Sequence, residues 1–147
     1  MRLLLLAGRD SQSTVVESYI GLGAEPYLNN AVTEVAAGEG SVVDHYKVQR
    51  EGAEAFHVGT AQATQGRDSI YHAFTFTTGA QLSRSNVYSK LLGEGSEVRL
   101  NGLYALEEAQ HADHQTFVEH IAPACSSTSA VPWVATISKP GACTGRA

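Results

Sequence analysis

Apolar and polar residues alternate along this chain in short runs, and the alternation breaks at glycine about every 14 residues. One unit reads Gly38-Glu39-Gly40-Ser41-Val42-Val43-Asp44-His45-Tyr46, and Gly52-Ala53-Glu54-Ala55-Phe56-His57-Val58 follows it. Gly66-Arg67-Asp68-Ser69-Ile70-Tyr71-His72, Gly79-Ala80-Gln81-Leu82 and Gly93-Glu94-Gly95-Ser96-Glu97-Val98 continue the series. Glycine supplies the positive φ that a tight turn needs, and the β-branched and aromatic residues after it suit a half-buried strand. Thr33–Val35, Val42–Val48 and Tyr71–Phe76 all carry the period of two. No segment carries a sustained helical stripe. Val87–Leu92 comes nearest, and it is short and ends at Gly93, so helix is a minor component.

Strands at this spacing build either an antiparallel sandwich or barrel, or a solenoid of stacked coils. Hairpins favour two-residue turns such as Asn-Gly, and only Asn101-Gly102 occurs here, inside a run that continues as a strand. That pair reads as a bend whose amide satisfies backbone groups, and Arg67-Asp68 reads as a solvated turn pair. The constant phase of the unit favours stacked coils, two units of about 14 residues making one coil of about 28. The opening Leu3–Leu6 run is too short for a secretory signal core and reads as a buried strand.

The length of 147 residues suits one domain, and 43% hydrophobic against 17% charged residues excludes a disordered chain. A net charge of −5, with no lysine or arginine cluster, argues against nucleic acid as a partner. No apolar run approaches the roughly 20 residues of a membrane helix. Two cysteines, Cys125 and Cys143, make neither a disulfide framework nor a zinc motif, and a cytoplasmic, reduced setting follows as the default. There is no phosphate-binding loop of the Gly-Lys-Ser/Thr type and no Gly-x-Ser-x-Gly elbow. His111, Asp113 and His114 are the metal candidates. On a strand His111 and Asp113 share one face, while His114 points to the other with His120. Stacked coils could bring His45, His57, His72 or His120 alongside. The competing reading makes all of these hydrogen-bonded ladder residues. Cys125 is a thiol candidate, since thiolates select iron–sulfur clusters, although one thiol falls short of the several that usual ligation needs, and the plain reading is a small buried residue.

A series of words resembles the SufD branch of the SufB/SufD family, which serves iron–sulfur cluster assembly in the SUF system. They include Asn29-Asn30-Ala31-Val32-Thr33-Glu34-Val35, Asp44-His45-Tyr46-Lys47-Val48-Gln49-Arg50-Glu51 and Gln65-Gly66-Arg67-Asp68-Ser69. Leu100-Asn101-Gly102-Leu103-Tyr104, Gln110-His111-Ala112-Asp113-His114-Gln115-Thr116 and Pro123-Ala124-Cys125-Ser126-Ser127 are the strongest. The resemblance implies an all-β fold: a right-handed parallel β-helix, or β-solenoid, of about five coils with little helix. It implies a core segment over residues 1–127 and a divergent tail over 128–147, where the family pattern gives way to Ser129-Ala130-Val131-Pro132-Trp133. It implies a scaffold rather than an enzyme, with no catalytic residues. The expected partners are a SufB-like subunit and a SufC-like ATPase. Iron or an iron–sulfur cluster is held only transiently in the full complex, with no tightly bound cofactor. The setting is the cytoplasm, or the plastid stroma in a plant. The family's C-terminal cluster-site segment has no counterpart here, and exposed solenoid ends would favour self-association. The alternatives are a β-helix enzyme outside the SUF system, or a β-domain binding metal through its histidines.

Overall fold

The computed structural model describes residues 1–23, 25–107 and 110–130, and the backbone of 134–137. Its elements are all strands: β1 (Arg2–Ala7), β2 (Gln12–Ile20), β3 (Leu28–Ala37), β4 (Val42–Arg50), β5 (Phe56–Gln65) and β6 (Ile70–Thr78), then β7 (Leu82–Leu91), β8 (Glu97–Glu107), β9 (His111–His120), β10 (Ser126–Ala130) and β11 (Val134–Ile137). Odd strands stack in one sheet, β1-β3-β5-β7-β9, and even strands in the other, β10-β8-β6-β4-β2. β11 extends the second sheet by pairing with β8 from Val134↔Tyr104 to Ile137↔Glu107. Every pairing is parallel, so the chain winds in one sense and the antiparallel alternative fails. The five-stranded sheet spans four turns from β1 to β9.

Register carries each residue onto its equivalent one coil later. Leu28 pairs with Phe56, and Phe56 with Leu82. On the even sheet Val43 pairs with Tyr71, and Tyr71 with Val98. Inward residues therefore form columns along the axis. Val35, Ala37, Val43, Ala63, Tyr71, Val87, Leu91, Val98 and Leu100 form the apolar core between the sheets. Full burial of a residue such as Leu91 contributes about 1.5–3 kcal/mol.

One corner of the coil explains much of the repeat. It is made by Gly8-Arg9-Asp10-Ser11, Gly38-Glu39-Gly40-Ser41, Gly66-Arg67-Asp68-Ser69 and Gly93-Glu94-Gly95-Ser96. The third residue is left-handed each time, with φ of 54° at Asp10, 65° at Gly40, 52° at Asp68 and 72° at Gly95. The closing serine donates its hydroxyl to the carbonyl of the first glycine, at 2.7 Å for Ser11, Ser41 and Ser69 and 2.8 Å for Ser96. The third position is aspartate or glycine, residues that tolerate the left-handed conformation. A Cβ on Gly40 would lie 2.2 Å from Asp10 Oδ1, and one on Gly95 would lie 2.2 Å from Asp68 Oδ1.

Two local expectations, on Asn101-Gly102 and on Leu3–Leu6, need correction. Asn101-Gly102 is no bend: it sits in the middle of β8, with Asn101 exposed outward and Gly102 buried inward. In keeping with the weak helical stripe, Val87–Leu91 belongs to β7, and the described residues contain no helix. The Leu3–Leu6 run is a strand, but only its alternate residues Leu3 and Leu5 turn inward, while Leu4 and Leu6 are exposed. Strand pairing continues to Ile137, and Cys143 lies outside the described residues.

Candidate functional site

The alternation of β4 sends Val43, His45, Lys47 and Gln49 into the interior, and Glu51 follows at the same parity. β2 sends in Glu17 and Tyr19. The half of the interior away from the glycine–serine corner is therefore polar and charged. Glu17, His45, Lys47, Gln49, Glu51 and His57 are all buried there. Buried charges must be paired or hydrogen-bonded to be tolerated.

Two carboxylate–imidazole pairs meet that requirement. Glu17 Oε2 lies 3.4 Å from His45 Nε2, and His45 Nδ1 lies 2.9 Å from the Tyr71 hydroxyl. Thr33 donates its hydroxyl to Glu17 Oε1. In the second pair, His57 Nδ1 lies 2.6 Å from Glu51 Oε2. Gln49 Nε2 donates to the same Glu51 oxygen at 3.0 Å, and Asn29 Nδ2 donates to Oε1 at 3.1 Å. The Tyr19 ring meets His57 edge-on at 4.8 Å, and Lys47 Nζ stands 5.4 Å from the centre of that ring.

Burial alone would raise both carboxyls. At Glu17 the His45 imidazole, the Thr33 hydroxyl and the Lys47 charge outweigh burial and hold the carboxyl below its ordinary value. At Glu51 the contacts from His57, Gln49 and Asn29 do the same. Burial lowers Lys47 to about 8, against the upward pull of Glu17 and Glu51. Burial also pushes up the Tyr19 and Tyr71 hydroxyls, helped by the Glu17 charge.

The structure separates the metal candidates. His111 and Asp113 face outward on β9, and Asp113 lies 3.6 Å from Arg84 on β7. His114 faces inward, edge-on to Tyr104 at 5.9 Å. Burial lowers its pKa, as does the Lys47 charge, against the opposing pull of Asp113. Among the described residues no three His, Cys, Asp or Glu side chains converge to hold a metal ion. The other histidines do not stack on it either. In register, His114 lies beside Ser85, His45 beside Ala73 and His57 beside Ser83. His72 faces outward with its Nδ1 2.9 Å from Asp44, and His120 meets Ser127 at 2.9 Å.

Cys125 occupies the serine position of the next corner, after Ala124 at φ 55°. Its thiol donates to the Gly93 carbonyl at 3.3 Å and lies 3.3 Å from Ser96 Oγ. It extends the serine column and packs against the apolar core.

Sequence reasoning missed Glu17, Lys47 and Glu51 as members of one buried cluster. Parity was the available signal: Val43, His45, Lys47, Gln49 and Glu51 share one face. The outer face of β4 disguised it, because Val42, Tyr46 and Val48 are as apolar as an inner face.

Comparison with known proteins now fits this geometry. Residues 1–136 match the family model described as SUF system FeS cluster assembly, SufBD core domain. The chain belongs to the SufBD core family. A SufBD family protein of Synechocystis is 32% identical over 124 residues, covering 78% of this chain and 27% of the relative. One from Mycobacterium leprae is 30% identical over 71 residues, covering 48% of this chain and 18% of the relative. The iron-sulfur cluster assembly protein SufD of Escherichia coli is 23% identical over 117 residues, covering 80% of this chain and 28% of that protein. The chain thus spans under a third of the length of these relatives. No solved structure is a significant match.

Proposed function

We propose that this chain is the scaffold core of a SUF-type subunit, which pairs with a SufB-like subunit and works alongside a SufC-like ATPase. Its contribution is a rigid column of stacked strands that presents fixed surfaces, and not turnover of a substrate. Iron or a nascent iron–sulfur cluster is the cargo of the assembled complex, held transiently there. The cytoplasm or a plastid stroma is the setting that suits such cargo. The match to the SufBD core family over residues 1–136 carries this reading. The uninterrupted parallel register from β1 to β9 supports it, because such a stack transmits position between distant surfaces without a flexible joint.

Co-expression of the complete protein that carries this chain, affinity-tagged, with the SufB-like and SufC-like subunits of the same source tests the proposal. A complex that survives gel filtration in fixed proportion is the expected result. Elution of the tagged protein alone, with the other two subunits associated without it, would overturn the proposal.

A further inference from the structure

Lys47 enters the space between the sheets from β4 and is only 9% exposed. A buried ammonium has three N–H donors to satisfy. The two carboxylates whose charge reaches it, Glu17 and Glu51, are engaged by His45 and His57 instead. Among the described residues Lys47 forms no ion pair and no hydrogen bond; its Nζ stands over the Tyr19 ring, 5.4 Å from the centroid. An amine left so would cost several kcal/mol.

The surroundings supply the missing partner. A cavity of about 20 Å³ adjoins Lys47 and is lined by Glu17, Thr33, His45, Gly59, Thr75 and Ser85, among others. A water needs roughly 10–15 Å³ of such space and two to four polar partners. Gly59 keeps the space open: a Cβ there would lie 2.1 Å from Lys47 Nζ and 3.1 Å from His57 Nε2. Glu17, Thr33, Thr75 and Ser85 border the same space and offer oxygen partners.

We propose that this cavity is an internal hydration site, in which roughly one or two buried waters join the Lys47 ammonium to Glu17 and the hydroxyls that line it. Water is the occupant that fits the chemistry. The Glu17 carboxylate repels an anion, the ammonium repels a metal cation, and the site demands acceptors for Lys47.

Magnetic relaxation dispersion of water oxygen-17 counts long-lived internal waters, and it can be applied to the full chain at neutral pH. Lys47→Met is expected to lose at least one such water per chain while its far-ultraviolet circular dichroism stays that of the parent. An unchanged count in a folded Lys47→Met chain would overturn the proposal. The parent chain provides a test that needs no variant. Rotating-frame cross-relaxation between water and the Lys47 side chain is expected, and its absence would overturn the proposal as well.

Discussion

Alanine placed at Gly95 and at Gly93 separates two reasons for glycine at the same corner. Gly95 has φ of 72°, where an L-residue pays about 1–2 kcal/mol. The atom a new Cβ meets there, at 2.2 Å, is the Asp68 carboxylate oxygen. That side chain is 62% exposed and swings aside at little cost. Gly93 has the opposite problem. A Cβ there would lie 2.0 Å from Arg67 N, 2.3 Å from Gly66 C and 2.4 Å from Arg67 Cα, all backbone of the preceding rung. Only a change in the spacing of the rungs could relieve it, at about 3 kcal/mol or more by the measure of overpacked cores. Gly95→Ala should therefore cost about 1–2 kcal/mol and Gly93→Ala roughly twice that, out of a total of about 5–15 kcal/mol for a domain. Adding Asp68→Gly to Gly95→Ala should recover little, since φ and not the carboxylate dominates. Urea unfolding followed by circular dichroism reads these differences as midpoint shifts, with about 1–3 kcal/mol per molar as the slope. Equal losses at the two positions, or a larger loss at Gly95, would refute the argument that the corner is set by contact between rungs.

Acid should destabilise the chain through Glu17 and Glu51. Their folded pKa values lie below the unfolded ones, so their contribution is present above the ordinary carboxylate range and is lost as pH falls through the folded values. Lys47 acts at the other end. Its folded value of about 8 lies below the unfolded one, so stability should rise between about pH 8 and pH 10 by roughly 3 kcal/mol, and Lys47→Met should abolish that rise in urea midpoints measured across the window. Cys125→Ser should change stability by less than about 1 kcal/mol, because the four preceding corners use serine at that position; a larger loss in the same assay would contradict the column. The His111→Ala, His114→Ala double variant should bind iron as the parent does, measured by titration calorimetry, because the two side chains leave β9 on opposite faces.

The period of the chain was legible because glycine and serine recur where the corner needs a left-handed residue and a hydroxyl cap. Gly38, Gly66 and Gly93 open that corner, and Gly52 and Gly79 mark the opposite side of the coil. The strands were legible from their period of two. The orientation of each strand was not. In β4 and β6 both faces carry large apolar residues: Val42, Tyr46, Ile70, Phe74 and Phe76 point outward, while Val43 and Tyr71 point inward. Hydrophobicity therefore could not say which parity was the interior, and Glu17, Lys47 and Glu51 were not recognised as buried. Asn101-Gly102 misled for a related reason. Hairpin chemistry favours that pair at turns, yet the columns of a solenoid also need small inward residues, and Gly102 is one, in register with Thr75 on β6.

Cross-linking in register is the direct test of the stacked, parallel winding on which both the internal site and the scaffold role depend. Gln62 on β5 and Tyr88 on β7 are outward neighbours one coil apart. Cysteines at both positions should form a disulfide under mild oxidation, while cysteines at Gln62 and Ala73, which an antiparallel β5–β6 hairpin would bring together, should not. Rapid bonding of the second pair and none in the first would contradict the solenoid.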